Sequence, residues 1–249
     1  MPTGPYSDSI LIAMDHLSTT LMVELERVGS QGHSDHTIRG SEIGKCSRRL
    51  GYQLLQYEGA PMPTGIGQTF SAGRFYEALV VAALESIGFE LWGSQDEVRC
   101  DDPPITGHTD GYVIPYDREA PMLLEVKSAN DRWFADLCKS GVTVVYPDYL
   151  AQMTVYMGLD NQKDPDVPPL TQALLVVTCK NFADIYTEIV DFDPALFSHL
   201  LDKVRSTWEI TRRGDLPSPE YHKSSRACGQ CSYRALCPGK PASGKLIIG

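Results

Sequence analysis

The 249-residue sequence predicts a mixed α/β fold, with a central mixed sheet flanked by helices. Three observations carry this expectation. Apolar residues make up 42% and charged residues 22%, which suits one well-filled core and excludes a mainly disordered, collagen-like or coiled-coil chain. The apolar spacing switches between the helical period near 3.6 and the strand period of two. The strands cluster mid-chain between long helices, with no internal repeat and no long linker. Residues 1–249 are therefore expected to form one domain. Within it, 1–67 is a helical N-terminal part, 68–192 a core, and 193–249 a C-terminal helix and tail.

Each element has its own signal. Asp8 to Val28 carries Ile10, Leu11, Met14, Leu17, Leu21 and Leu25 on one stripe and reads as a helix. Gly29 to Gly40 is polar and loop-like. Ser41 to Tyr57 opens on a capping-type Ser41 and continues with periodic Leu50, Leu54 and Leu55, a second helix. Gly59 to Gly67 is rich in Gly and Pro and reads as a loop, and Gln68 to Ile87 is a helix stopped at Gly88. Phe89 to Arg99 and Ile105 to Ile114 alternate as paired strands around an Asp-Asp-Pro-Pro turn, and Met122 to Ser128 is a third strand. Asp131 to Lys139 and Pro147 to Leu159 are helices, followed by an acidic, Pro-rich loop from Asn161 to Pro169. Ala173 to Cys179 and Asp184 to Val190 form a hairpin, and Pro194 to Arg213 is a last long helix with Pro in its first turn. An irregular, cysteine-bearing tail follows.

The net charge of -10 argues against a surface that grips nucleic acid everywhere. The distribution says more. Lys223, Arg226, Arg234, Lys240 and Lys245 lie in a tail without acids, which leaves -15 on residues 1–220. No apolar run approaches the ~18 residues of a membrane span, and no leader pattern is present, so a cytoplasmic location without membrane contact is expected. In a reducing compartment disulfides are disfavoured, and Cys100, Cys138 and Cys179 read as buried small hydrophobes. Cys228, Cys231 and Cys237 instead form C-x2-C-x5-C, with Cys46 far upstream. Four thiolates suit an iron–sulfur cluster or a zinc ion. A redox-active C-x2-C is disfavoured, because no βαβ unit surrounds it.

The strand cluster holds G-H-T-D at 107–110 and E-V-K at 125–127. Adjacent strands can bring Asp110 and Glu125 to one side, and the two-residue period puts Glu125 and Lys127 on one face. Two carboxylates and an ammonium suit a hard divalent cation, Mg2+ or Mn2+, that activates water for phosphoryl chemistry. Glu77, beside apolar helix surface, can supply a third oxygen. Gln152 and Tyr156 share a helix face, and Tyr156 could stack on a base. Arg39-Gly-Ser-Glu-Ile-Gly-Lys-Cys46 imitates a phosphate-binding loop but lacks its first glycine and final hydroxyl, so no ATP site is expected.

In order, G-x-x-D, E-x-K and Q-x-x-x-Y, with one early and three late cysteines, resemble the RecB-like branch of the PD-(D/E)XK nuclease superfamily. Within it, they resemble the Cas-four-like iron–sulfur exonucleases. The segment around Cys46, S-E-I-G-K-C-S-R-R-L-G-Y, is similar to the family's first-cysteine motif, and the match runs from about Ser41 to Pro238. The resemblance implies a restriction-endonuclease-like core with an iron–sulfur cluster joining the N- and C-terminal segments. It implies metal ligation by Asp110, Glu125 and the Val126 carbonyl, catalysis by Lys127, and substrate positioning by Gln152 and Tyr156. It also implies a [4Fe-4S] cluster on Cys46, Cys228, Cys231 and Cys237, which moves zinc into second place. Glu77 stands where many members have a metal-binding His, and Thr109 stands where the name-giving motif has Pro. The cluster would clip the tail to the start of the fold across 181 intervening residues. Gathering Arg39, Lys45, Arg48 and Arg49 beside the basic tail would build a phosphate-attracting surface, with Arg48 and Arg49 as DNA contacts. The expected activity is a metal-dependent exonuclease on single-stranded DNA ends, in recombination, repair or CRISPR-adaptation-type processing, phage or mobile-element origin included. Homo-oligomers or protein partners fit such a role. The rivals are an inactive DNA-binding or assembly protein on the same fold and a zinc-stapled binding module.

Overall fold

A computed structural model describes residues 36–239, apart from 62–65, 117, 119, 165, 182 and 183. The helix expected over Asp8 to Val28, Lys240 and Lys245 lie outside the described residues. The described chain opens with β1 (Ile38–Arg39), a single 3-10 turn at Gly40–Glu42 and α1 (Ser47–Leu54). A long helix, α2 (Ile66–Ser86), leads to β2 (Glu90–Trp92), β3 (Glu97–Asp101), β4 (Pro104–His108) and β5 (Gly111–Ile114). Next come β6 (Met122–Ala129), α3 (Asp131–Val145), α4 (Pro147–Asp160), β7 (Gln172–Cys179) and β8 (Ile185–Asp191). The last helices are α5 (Pro194–Thr211) and, in the tail, α6 (Arg226–Gly229).

Five strands form the main sheet in the order β2-β5-β6-β7-β8. β6 and β7 run parallel, from Leu123 opposite Ala173 to Ala129 opposite Cys179, and α3 and α4 make the crossover such a pair needs. Both strands are inner strands, so both faces are covered and their sequences are almost continuously apolar. The faces divide by the two-residue alternation. Leu123, Ala173, Leu175 and Val177 pack with residues of α3, α4 and α5. Met122, Leu124, Val126, Leu174 and Val176 pack with Val80 of α2 on the other side. Each fully buried Leu or Val contributes about 1.5–3 kcal/mol. Glu125 and Lys127 fall on the Leu123 face, into which α4 is packed.

One sheet was the expectation, and the described residues form two. The second is β1-β4-β3, with β1 parallel to β4 inside the stretch expected to be loop. The long arms Phe89 to Arg99 and Ile105 to Ile114 each break in two. β3 and β4 pair around the Asp-Asp-Pro-Pro turn, while β2 and β5 pair in the main sheet. Glycines make the break. Gly111 has φ 141°, and a Cβ there would lie 3.1 Å from the Trp92 carbonyl oxygen. Buried Thr109 then locks the junction. Its hydroxyl donates to the Gly93 carbonyl at 2.8 Å and its N–H to the Asp96 carbonyl at 3.0 Å.

Other differences are local. The helix expected from Ser41 starts at Ser47, because Ser41 lies in the 3-10 turn and Cys46 takes the N-cap position. Glu220 from the tail accepts the first free N–H, that of Ser47, at 2.8 Å. α3 passes Lys139 and continues to Val145 across a kink at Gly141. Cys179 is buried and Cys100 half-buried against the core, but Cys138 is exposed, on the outer side of α3. Among the described residues, no helix is long and apolar enough to cross a membrane.

Candidate active site

Glu125 lies mid-strand in β6 with no exposed surface. Its Oε2 accepts from Gln152 Nε2 of α4 at 3.1 Å. Its Oε1 forms an ion pair with the Lys127 ammonium but receives no well-formed hydrogen bond, so one buried oxygen is left under-satisfied. Asp110 sits just before β5. Extending the Gly111–Leu124 pairing by one residue places it across from Glu125. Asp110 Oδ2 accepts the Val126 N–H at 2.7 Å, which fixes the carboxylate against β6. Glu77 comes from α2 and is held by Gln95 Nε2 at 3.2 Å. A cleft of about 410 Å³ joins Glu77, Asp110, Val126, Lys127 and Gln152.

The charges interact. Burial, aided by Asp110, pushes the Glu125 carboxyl up to about 7, although Lys127 pulls the other way. Burial also raises Glu77, and Asp110 adds to it. Burial alone would depress the Lys127 ammonium, but the Glu125 and Asp110 carboxylates outweigh it and hold Lys127 above the usual lysine range. The group therefore has a firmly protonated lysine facing carboxylates that resist sharing a site without a further cation. A buried carboxylate neutralised by a single ammonium, beside two more carboxylates, fits a hard divalent ion. Among the described residues, no three His, Cys, Asp or Glu side chains converge closely enough to hold a metal ion as placed.

Gln152 and Tyr156 share α4 but meet different surroundings. Gln152 reaches Glu125, whereas Tyr156 is 3% exposed and packs against the backbone at Gly40 and Gly107. Tyr149, three residues before Gln152, is the aromatic that lines the cleft, with Lys127 Nζ 5.5 Å from its ring centroid. Arg74 of α2 and Lys180 after β7 line the same cleft. Spacing alone offered a signal for Tyr149, since i and i+3 share a helix face. Nothing local singled out Arg74 or Lys180.

The cysteines form a second location. Cys46, Cys228, Cys231 and Cys237 all line one cavity of about 280 Å³. Protein contacts bring the tail there. Tyr52 stacks on Tyr233 at 5.0 Å, Ala60 N–H donates to the Ser232 carbonyl at 2.7 Å, and Ser47 meets Glu220. Arg48 and Arg49 line this cavity and not the carboxylate cleft. Arg48 donates to the Pro217 carbonyl at 2.9 Å, and Arg49 pairs with Glu42 at 2.6 Å.

No family model matches the chain, and no curated protein matches it. Solved proteins resemble the fold, among them the following. The protein SSO0001 superposes with a TM-score of 0.54 at 16% identity, covering 91% of this chain and 98% of that one. An alkaline exonuclease, LHK-Exo, from Laribacter hongkongensis gives 0.50 at 15% identity over 72% of this chain and 93% of its own. Its complex with dAMP gives the same TM-score at 14% identity over the same shares. A phage-related exonuclease from Haemophilus somnus 129PT gives 0.50 at 13% identity over 72% and 96%. At such identities the likeness is one of fold: the chain shares its mixed α/β architecture with alkaline and phage-related exonucleases.

Proposed function

We propose that the chain is a metal-dependent deoxyribonuclease, an exonuclease working on single-stranded DNA ends. The observation that carries this is the cleft lined by Glu77, Asp110 and Lys127, with Glu125 buried directly behind it and ion-paired to Lys127. Glu77, Asp110, Glu125 and the Val126 carbonyl would hold Mg2+ or Mn2+. That ion supplies Lewis acidity and a water activated for in-line attack on a phosphodiester. Lys127, held protonated, offsets charge gathering on the scissile phosphate. Gln152 keeps Glu125 aimed through its amide. Arg74 and Lys180 give the cleft a cationic side for the DNA backbone, which the chain as a whole, at -10, would repel. The fold shared with exonucleases supports this reading.

The four cysteines Cys46, Cys228, Cys231 and Cys237 line a single cavity of about 280 Å³, and four thiolates suit an iron–sulfur cluster or a zinc ion. A [4Fe-4S] cluster there is our reading, with zinc as the rival. Lys45, Arg48, Arg49, Lys223 and Arg234 line the same space and would balance thiolate charge. The cluster serves as a staple, and the processing is of the recombination, repair or CRISPR-adaptation kind.

The test is degradation of 5′- and 3′-labelled single- and double-stranded DNA with Mn2+. Wild type should shorten single strands from an end, and Glu125→Ala and Lys127→Ala should not. Equal degradation by wild type and Glu125→Ala would overturn the assignment.

A further inference from the structure

The two cavities meet at the start of α4. Asp148 lines the cysteine cavity, where it pairs with Lys45, and Tyr149 lines the carboxylate cleft. A line of stacked groups also runs between them. Arg226 of α6, two residues before Cys228, places its guanidinium 3.5 Å from the centroid of the Trp133 ring. Trp133 meets Tyr146 at 5.6 Å with planes 39° apart. Tyr146 stacks on Tyr149 at 4.5 Å with planes only 14° apart. Lys127 Nζ then stands 5.5 Å from the Tyr149 ring. Cations sit at both ends of three aromatic rings, and every ring is only half-buried.

We infer that Tyr149 is a positioning residue for the Lys127 ammonium, and that the column from Arg226 through Trp133 and Tyr146 seats Tyr149, so that the cysteine-bearing tail sets the catalytic lysine. This rests on the nuclease reading for its consequence, but its geometry stands apart from it. The ammonium has two attractors, the Glu125 carboxylate and the electron-rich ring face. With the ring removed, Lys127 keeps its contact with Glu125 but loses the wall that fixes the ammonium's direction toward the cleft. The rings are well placed to transmit a shift. Asn130, at the end of β6, caps α3 by accepting the Trp133 N–H at 3.1 Å, which ties Trp133 to the strand that carries Lys127. Tyr146 is both the last cap of α3 and the first of α4, so a displaced Trp133 moves the joint from which Tyr149 projects.

The experiment uses the full chain with its metal content intact and two readouts. In single-turnover cleavage of labelled single-stranded DNA with Mn2+, Tyr149→Leu should lower the rate about tenfold. Arg226→Gln should lower it about two- to fivefold, the size of one exposed cation–π contact. Substrate half-saturation should stay unchanged in both. Tyr149→Phe, which keeps the ring, and Arg226→Lys, which keeps a cation, should restore most of the rate. In parallel, the 13Cε signal of Lys127 is followed in lysine-labelled protein, assigned by its loss in Lys127→Arg. Tyr149→Leu should remove its ring-current displacement, and Arg226→Gln should shift it the same way by less. An unmoved Lys127 signal in either variant overturns the inference, as does a lowered stability of both variants with unchanged rate and signal. If wild type cleaves no DNA while the signal moves as stated, the nuclease reading fails and the column stands.

Discussion

Replacing Gln152 with Met keeps the side chain's length and removes the amide that donates to Glu125 Oε2. Glu125 is fully buried, and the Met side chain would fill the amide's place on the cleft wall without offering a donor. Glu125 then retains only its ion pair to Lys127. A hydrogen bond to a charged group contributes about 1.5–3 kcal/mol. At 1.36 kcal/mol per pKa unit, the ionised form is disfavoured by about 1–2 units. In the metal-free protein, burial has already brought Glu125 up to about 7. The variant should therefore titrate at about 8–9 and hold its proton through neutral pH. A divalent ion binds the carboxylate only after displacing that proton, so its apparent affinity falls about tenfold per pH unit below the titration point. The Mg2+ half-saturation of Gln152→Met should lie about 5–50-fold above wild type at pH 7 and draw closer to it by pH 9. Isothermal titration with Mg2+ from pH 6 to 9 measures this without DNA. Curves that coincide at pH 7, or stay equally far apart at every pH, would refute the claim that the amide acts by keeping Glu125 ionised.

Three more outcomes are expected. In chelator, the raised Glu125 favours the proton in the folded state, so the stability it contributes is present below about 4.5 and lost as pH rises through about 7. Urea unfolding should show wild type losing up to about 3 kcal/mol relative to Glu125→Gln between pH 5 and 8, a loss that Mg2+ reverses. A Cβ on Gly107 would fall 2.2 Å from the Tyr156 hydroxyl, so Gly107→Ala should cost about 1–3 kcal/mol, and combining it with Tyr156→Ala should cost less than the sum of the two; strict additivity would speak against the contact. Anaerobically purified wild type should be brown with about four irons per chain, and Cys46→Ala should lose the colour and speed amide exchange over 220–239, whereas a colourless, zinc-containing protein would assign the site to zinc.

What could be read from the sequence was whatever depends on period and local chemistry. The two-residue spacing of Glu125 and Lys127 put them on one face, and the hairpin read over Ala173 to Cys179 and Asp184 to Val190 is the antiparallel pair β7 and β8. What escaped depends on which neighbour a residue meets. α4 is buried along Ala151–Leu159, so a shared helix face could not say that Gln152 would find Glu125 while Tyr156 found Gly40 and Gly107. The arms around the Asp-Asp-Pro-Pro turn alternate well enough for one long hairpin. Only Gly93 and Gly111 hint that each arm changes sheet, and a glycine in a strand is an ambiguous sign. Arg48 and Arg49 looked available for phosphate because charge is visible in sequence and partners are not. In the fold they are engaged by the Pro217 carbonyl and Glu42.

The change of sheet bears directly on the chemistry. Had the hairpin run on unbroken, Asp110 would be an inner residue of a long strand, its side chain committed to one face beside the next strand's backbone. The break puts it in the two-residue junction between the sheets, after Thr109 and directly before β5, so its carboxylate can turn back and take the Val126 N–H. Thr109 holds that turn through Gly93 and Asp96, and Gln95 of the same turn reaches Glu77 on α2. One junction of a few residues thus sets two of the three carboxylates against the third on β6. Burial first, and then repulsion from Asp110, opposes this arrangement and raises both Glu77 and Glu125. A fold that gathers such charges by backbone geometry, and buries the central one with only one ammonium against it, gains most from a further cation at that point. The same junction makes a separable prediction. Thr109→Val, which keeps shape and loses the hydroxyl bond to Gly93, should weaken Mg2+ binding more than it lowers the stability of the metal-free protein.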